Sequence, residues 1–389
     1  MKPAVLIGFA DSLAAIESAW CLADGGFEVC AFTRAGTRPA LGRIKRVRVF
    51  PVTAPEDDAL ACAADLGRLT AELGPAAVLP LDDHAVWLAD RWAQQDPGSG
   101  TIVAGPTGKL AELALDKRQQ LARAVTAGFA VPASTDAAEA PPGPGPWMVK
   151  PALAVQLADG RLRQPVGRVA GTVAEVRGIA ERIGRPFTVQ PLIEGTGEGV
   201  FGIVVGGGIA AVSAHRRVRM MNPRGSGSSA CRSIPLADDL AGPVAAFLAG
   251  CDWHGLFMVE VLRDRAGRAW FMELNGRPWG SMALARQRGL AYPAWAVRAA
   301  LDPEFAPPYP GMAGVTAPDV TARHLGREIV HLGMVLARGG APRARTVREV
   351  LTVHRGDRWY NWRPGEPAVF AADTWSTVRS LLRRPGRKR

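Results

Sequence analysis

Glu260 and Glu273 are the residues of this chain whose spacing most clearly implies chemistry. Gly255 to Arg263 and Arg268 to Asn275 are apolar-rich segments of strand length, and Asp264-Arg265-Ala266-Gly267 between them is a hairpin turn signal. With the turn centred between Ala266 and Gly267, Glu260 falls directly opposite Glu273, and Asn275 lies two residues further along the same face. Facing like charges are destabilising, and burial raises that cost unless something offsets it. A divalent cation would offset it. Hard oxygen ligands on rigid strands, with room left for phosphate oxygens and water, suit Mg²⁺ at a nucleotide. The plainer reading is a solvated hairpin in which one carboxylate pairs with Arg263, Arg268 or Arg277.

Lysine is scarce in this arginine-rich chain, so Lys117, after Leu115-Asp116 in a helical stretch, and Lys150, at the end of the strand Trp147-Met148-Val149-Lys150, stand out. Contact with a polyphosphate gives a half-buried strand lysine a reason to be there; a snorkelling surface lysine is the plain alternative. Further on, His215-Arg216-Arg217-Val218-Arg219 follows a strand read from Val200 to Ser213, and Asn222 to Ser229 reads as a flexible, donor-rich loop. Alternation places His215, Arg217 and Arg219 on one face. Arg217 or Arg219, rather than Arg216, is then the residue expected to neutralise charge during phosphoryl transfer, a solvated charge run being the alternative.

Glu260 together with Phe271-Met272-Glu273-Leu274-Asn275-Gly276-Arg277-Pro278 resembles the paired-acid signature of the ATP-grasp superfamily, in which a second acid is followed by Asn and then Arg. The resemblance covers about residues 1 to 300 and is nearest to carboxylate–amine ligases that join amino acids. It implies ATP and Mg²⁺ as cofactors, with Mn²⁺ as an alternative ion. Glu260, Glu273 and Asn275 would hold the metal, while Arg277 would stabilise an acyl phosphate or the incoming carboxylate. Lys117 and Lys150 match the spacing of the two phosphate lysines. Phe187 to Gly195 is similar to the hinge that reads adenine, so Gln190, Pro191, Leu192 and Ile193 become cofactor-binding candidates, and Glu198 matches the acid that bonds the ribose. One departure stands out. After the strand lysine the family has a glycine-rich phosphate loop, whereas this chain has Ala152 to Arg161 with a single Asp-Gly turn, leaving Arg161 or Arg163 to shield phosphate.

The activity so implied is an ATP-dependent, ADP-forming carboxylate–amine ligase that makes an amide or peptide bond through an acyl phosphate. Its substrates would be small carboxylates and amines, amino acids or a natural-product precursor, with a basic region near Arg277 and Arg286 suited to the carboxylate. A noncatalytic ATP-binding module and a ligase using a non-amine acceptor are the alternatives.

The elements that must position these residues follow an α/β plan. An apolar strand at Val5 to Phe9, a helix stopping at Gly25-Gly26 and a strand at Phe27 to Phe32 make a βαβ opening, continued by helices at 56–73 and 84–94 and a strand at Ala76 to Pro80. Only Gly8 stands where a dinucleotide site would place G-x-G-x-x-G, which counts against an oxidoreductase. A Rossmann-like parallel-sheet unit is therefore expected over 1–105, and an ATP-grasp unit of two α+β subdomains clasping ATP over 106–310, with its central subdomain at about 130–190. Residues 311–389 form an extension of uncertain fold, in which Trp359 and Trp362 are expected to pack. The chain has 389 residues, 48% of them hydrophobic, enough to bury a large core. No apolar run spans a membrane and no cleavable signal opens the sequence, so a cytoplasmic protein is expected. Five scattered cysteines support neither disulfides nor zinc. The net charge of +11 suits an anionic ligand. No nucleic-acid motif is present, the tail from Arg383 reads as a solvated end, and a homodimer is compatible with the sequence.

Overall fold

Alternating strand and helix build the first layer of the computed structural model, which describes residues 2–223, 225–308, 319–339 and 341–382. The expected boundary at 310–311, Arg224 and the tail from Arg383 lie outside the described residues. In order come β1 (Ala4–Gly8), α1 (Ala15–Asp24), β2 (Glu28–Arg34), β3 (Val47–Val52), α2 (Ala59–Leu73), β4 (Ala77–Pro80), α3 (Asp83–Gln95) and β5 (Ile102–Val103). The strands pair in parallel in the order β3-β2-β1-β4-β5. Val5, Leu6 and Ile7 of the central strand are fully buried, as parallel strands are when helices cover both faces. β3 escaped the sequence reading; it is an edge strand and carries Pro51, a residue that weakens a strand pattern and is tolerated at an edge. Asp58 caps α2 by accepting from Leu60 and Ala61 N–H, and Gly74 ends it at φ +53°.

A helical stretch expected to run unbroken to Gly128 is two helices, α4 (Lys109–Leu115) and α5 (Lys117–Thr126), parted at Asp116, whose carboxylate caps α5. A small antiparallel sheet follows, built from β6 (Trp147–Pro151), β9 (Arg168–Ala170) and β10 (Phe187–Pro191) in the order β10-β6-β9. Helix α6 (Val173–Ile183), opened by a Thr172–Glu175 capping box, buries Val176 and Ile179 against Val149 and Val189 of this sheet. Between β6 and β9 a separate hairpin of β7 (Gln156–Ala158) and β8 (Arg161–Arg163) leans on the first layer. There Leu162 N–H donates to Pro55 O at 2.8 Å and Ala59 N–H to Gly160 O at 2.8 Å, over an apolar contact of Leu162, Val155 and Ala59.

The last sheet has seven strands in the order β15-β14-β11-β12-β13-β16-β17. Its members are β11 (Thr196–Val205), β12 (Gly208–Asn222), β13 (Ser226–Ile234), β14 (Gly255–Arg263), β15 (Ala269–Asn275), β16 (Thr321–Arg323) and β17 (Asp357–Trp359). Helix α7 (Asp238–Ala249) and α5 cover one face through Phe247, Val200, Val259 and Phe271, while α8 (Met282–Gln287) and α9 (Tyr292–Leu301) cover the other through Phe201, Met258, Trp279 and Tyr292. Two expectations are corrected here. The strand read from Val200 to Ser213 is broken by the Gly206-Gly207 turn, both glycines having positive φ, and the stretch read as a loop from Asn222 is mostly β13. The carboxyl-terminal stretch adds α10 (Leu325–Arg338), α11 (Arg343–Leu351) and α12 (Pro367–Leu382), and joins the sheet by pairing β16 with β13. Trp359 packs on Phe370 and under Arg323, and Trp362 meets Phe370 edge to face at 5.4 Å while 42% exposed. No helix among the described residues is long and apolar enough to cross a membrane.

Candidate active site

The hairpin of β14 and β15 brings its two acids together. Glu260 opposes Glu273, and Met258 opposes Asn275. Nearer the turn, Arg263 opposes Ala269, one residue out of step with the expected register, and an irregularity between Glu260 and Val261 restores it. The turn is pinned by Asp264, whose Oδ1 accepts from Ala266 and Arg268 N–H at 2.9 Å. None of the three arginines of the plainer reading takes either acid. Arg263 turns to Glu198 and Asp239, Arg268 lies over Trp270, and Arg277 donates to Asp83 Oδ1 at 2.7 Å.

Each acid is instead met by a cation from elsewhere. Lys117 Nζ lies 2.8 Å from Glu273 Oε2, and Arg217 pairs with Glu260. Lys117 is placed by the break at Asp116, because its N–H donates to Ala152 O at 2.8 Å and ties the start of α5 to the segment leaving β6. Arg217 has room to cross the sheet because β11 offers it glycine: a Cβ at Gly197 would sit 2.6 Å from Arg217 Cδ, and one at Gly199, opposite Glu260, 2.9 Å from His215 Nε2. Asn275, nearly buried, donates to Glu273 Oε1 at 3.4 Å.

The electrostatics follow from this arrangement. Lys117, against the opposing effect of burial, holds the Glu273 carboxyl down at about 2, and Glu273 in turn raises Lys117. Burial, reinforced by repulsion from Lys117, pushes the Lys150 ammonium down to about 8, and no salt bridge joins it to a described residue. His215, buried beside Arg217 and bonded through Nδ1 to Ser281 Oγ at 2.7 Å, is pushed down to about 3 by that burial first and stays neutral. With Lys117, Lys150, Arg217 and Arg277 set against Glu260, Glu273 and Asp83, the cluster keeps a positive excess, as a polyanion site requires.

Several expected site residues stand elsewhere. Glu198 neighbours Gly199 in β11, so it projects from the opposite face of the sheet to Glu260; there it is 3% exposed and both oxygens are taken, one by Arg216 at 3.0 Å and the other by Arg263 at 2.8 Å. This corrects its assignment to the ribose. Arg219 does not share the face of Arg217, because a bulge sets Arg217 opposite Cys231 but Arg219 opposite the next residue, Ala230; Arg219 pairs with Glu328 instead. Arg286 adds nothing basic near Arg277, since it is bound to buried Glu17 of α1. Arg161 donates to Asp57 O and Arg163 pairs with exposed Asp159, in the hairpin that leans on the first layer. In the hinge, Gln190 is buried and donates to Ser134 Oγ at 2.8 Å, Pro191 opposes Trp147, and Leu192 N–H is taken by Pro146 O at 2.9 Å. Ile193 N–H is left without a partner among the described residues.

A cavity of about 220 Å³ opens at Glu273, lined by Lys117, Asn275 and Arg277 together with Asp83, Gln120 and Gln164. These last three were missed from sequence. Gln120, 1% exposed on α5, grips β15 between the two ligands by accepting from Leu274 N–H at 2.9 Å and donating to Leu274 O at 3.1 Å. Asp83 holds Arg277 through one oxygen and accepts from Gln164 Nε2 at 3.2 Å through the other. The acidic run Asp82-Asp83 just past a parallel strand was the signal for Asp83; nothing local marks Gln120. Among the described residues no group of three or more His, Cys, Asp or Glu side chains gathers as metal ligands. Two facing glutamates and an amide fit a metal that takes its remaining ligands from phosphate and water.

Comparison with solved structures decides the architecture. An L-amino acid ligase from Bacillus licheniformis superposes with a TM-score of 0.59 over 78% of this chain and 74% of its own, at 16% identity. The chain has the ATP-grasp fold. The biotin carboxylase of Campylobacter jejuni aligns with a TM-score of 0.61 at 14% identity, over 79% of this chain and 72% of its own. The biotin carboxylase domain of Hydrogenobacter thermophilus 2-oxoglutarate carboxylase, solved with MgADP and bicarbonate, aligns with a TM-score of 0.61 at 17% identity, over 80% and 71%. No family model matches the chain, and no curated protein does. The β15 strand and the start of α5 bring Glu273, Asn275 and Lys117 to one cavity.

Proposed function

We propose that this chain is an ATP-dependent ligase that activates a small carboxylate as an acyl phosphate and passes the acyl group to an amine, releasing ADP and phosphate. The observation that carries the reading is the facing pair Glu260 and Glu273, with Asn275 beside them, Arg217 paired with Glu260, and Lys117 and Arg277 lining the cavity at Glu273. Glu260, Glu273 and Asn275 would hold Mg²⁺, which would offset the charge of the acids and of the ATP phosphates. Lys117 and Arg217, paired with the acids in the free chain, have phosphate oxygens as alternative partners once the acids take the ion, and Lys150 meets the polyphosphate from the smaller sheet. Ile193 N–H offers the free donor for the adenine edge. Arg277, steadied by Asp83, presents its remaining N–H groups to the substrate carboxylate.

A carboxylate oxygen attacks the γ-phosphorus, the bond to the β-phosphate oxygen breaks, and ADP leaves. The amine nitrogen then attacks the acyl carbon, the C–O bond to phosphate breaks, and the amine's proton passes to solvent. The chain's share is positioning and charge neutralisation. Incubating the purified chain with Mg²⁺, ATP and pools of amino acids and amines, and measuring ADP, AMP and phosphate, tests the reading. ADP and phosphate in equal amounts, dependent on a carboxylate, is the expected result; AMP with pyrophosphate would contradict it.

A further inference from the structure

The basic excess of the chain is not spread evenly. Residues 29–55 hold six lysines or arginines and no acid, and residues 374–389 hold six more and no acid. Together they carry +12 in a chain whose net charge is +11, which leaves the rest of the sequence at −1. The fold brings the two stretches together, because α12 packs on the 3₁₀ turn Ala40–Arg43 that lies between β2 and β3. Between them, at the carboxyl ends of β2 and β3, opens a cavity of about 1040 Å³, larger than the one at Glu273 and sharing no lining residue with it.

The cations of this cavity are unmatched. Arg38, Arg43 and Arg379 line it and no Asp or Glu does, and among the described residues no ion pair or hydrogen bond holds any of the three guanidiniums. Arg34 and Arg48 of the same stretch are by contrast taken, the first by Asp11 and Glu56 and the second by Glu28. Three uncompensated guanidiniums around one hollow favour a ligand carrying several negative charges. The N–H groups of Gly36 and Arg38, in the same wall, also have no partner among the described residues.

The α12 side adds a different chemistry. Trp375, 61% exposed, lies one helical turn from Arg379 on the same face, and an open indole beside cations offers stacking to a planar ring. Ser376 and Ser380 donate their hydroxyls to Asp373 O at 2.9 Å and Thr377 O at 2.7 Å, so toward a ligand their oxygens are acceptors. Phosphate has no use for acceptors, whereas sugar hydroxyls do.

We infer that this cavity is a second ligand site that takes a nucleoside polyphosphate, its phosphates among Arg38, Arg43 and Arg379 and its base on Trp375. The inference goes beyond the ligase reading and does not depend on it. The volume is that of a small-ligand pocket at the upper end of the usual range, and a free phosphate would leave both the indole and most of that space unused.

The test is calorimetric titration of the full chain with the four common nucleoside triphosphates, with tripolyphosphate, and with an oligoglutamate peptide and a single-stranded oligonucleotide. The native chain is compared with the double variant Arg38→Ala/Arg379→Ala and with Trp375→Ala. All three side chains are exposed, and melting curves check that the variants fold. Nucleotide bound at Glu273 is common to all three proteins, so the readout is the component that the variants lose. The expected result is that at least one nucleoside triphosphate shows a binding component weakened at least about tenfold in the double variant and about fivefold in Trp375→Ala, while tripolyphosphate binds more weakly and is indifferent to Trp375→Ala. Nucleotide binding identical in the three proteins, tripolyphosphate bound as tightly as any nucleotide, or tighter binding of the peptide or the oligonucleotide to the same arginines would overturn the inference.

Discussion

Arg217 and Arg219 leave one strand two residues apart and end in opposite kinds of environment. Arg217 meets Glu260 at the surface of the sheet, where the two side chains are 23% and 20% exposed. Arg219 meets Glu328, which is fully buried and shared with Arg323 at 3.0 Å, in the seam where α10 closes over the sheet. The residue types are the same and the bulge between them decides which face each takes. A partly exposed pair can exchange partners when a polyanion and a metal arrive. A sealed pair cannot, because separating it leaves an uncompensated buried charge. Exposure, rather than the presence of an Arg–Glu pair, therefore distinguishes the pair that is free to exchange partners.

Breaking each pair in turn sharpens that contrast. In the open cluster, Glu273→Gln is expected to lower carboxylate-dependent ADP release by roughly a thousandfold, the loss of several kcal/mol of metal-borne charge stabilisation. Its stability should fall by less than that of the sealed-seam variant below, because the change takes the carboxylate from Lys117 but also relieves the repulsion from Glu260. Steady-state assays beside a melting curve read both. In the sealed seam, Glu328→Gln should do the opposite and cost about 3 kcal/mol of stability, read by urea denaturation, with ADP release per folded molecule unchanged. Equal effects of the two variants on turnover would erase the distinction.

A smaller effect concerns Lys150. Its ammonium sits at about 8 in the free chain, below its ordinary value of 10.5. Over the window between these values the unfolded chain binds more protons, so the free chain gains stability as pH rises through it. Nucleotide binding favours the charged form and runs the other way: affinity for ATP should weaken by about tenfold for each pH unit above roughly 8, as measured by calorimetry, and this dependence should disappear in Lys150→Met. The smallest effect is expected at Glu198. Because it faces away from the cavity, Glu198→Gln should leave the preference for ATP over 2′-deoxy-ATP unchanged within about twofold, a comparison of two KM values.

Local patterns made a good part of this legible. The parallel opening and the facing acids follow from periodicity and one turn signal, and the structure keeps them. The acid register was reached with the turn misplaced, and the bulge beside Glu260 corrected for it. Alternation failed wherever a bulge or tight turn intervened, at Arg219 and at Gly206-Gly207, since a single extra residue reverses every side chain beyond it. It would have placed Glu198 correctly, on the face away from Glu260, had it been applied there. Partners distant in sequence stayed hidden. Nothing near Arg286 announces Glu17, nothing near Arg277 announces Asp83, and the union of β16 with β13 depends on segments about ninety residues apart.

The central claim is that Glu260 and Glu273 take a metal together with nucleotide. The most direct measurement is the Kd for ATP, by calorimetry, with and without Mg²⁺, in the native chain and in Glu260→Gln. The account predicts that Mg²⁺ tightens ATP binding to the native chain by at least about tenfold, and that Glu260→Gln still binds ATP but loses that enhancement. ATP affinity independent of Mg²⁺ in the native chain, or an enhancement that survives in Glu260→Gln, would contradict it.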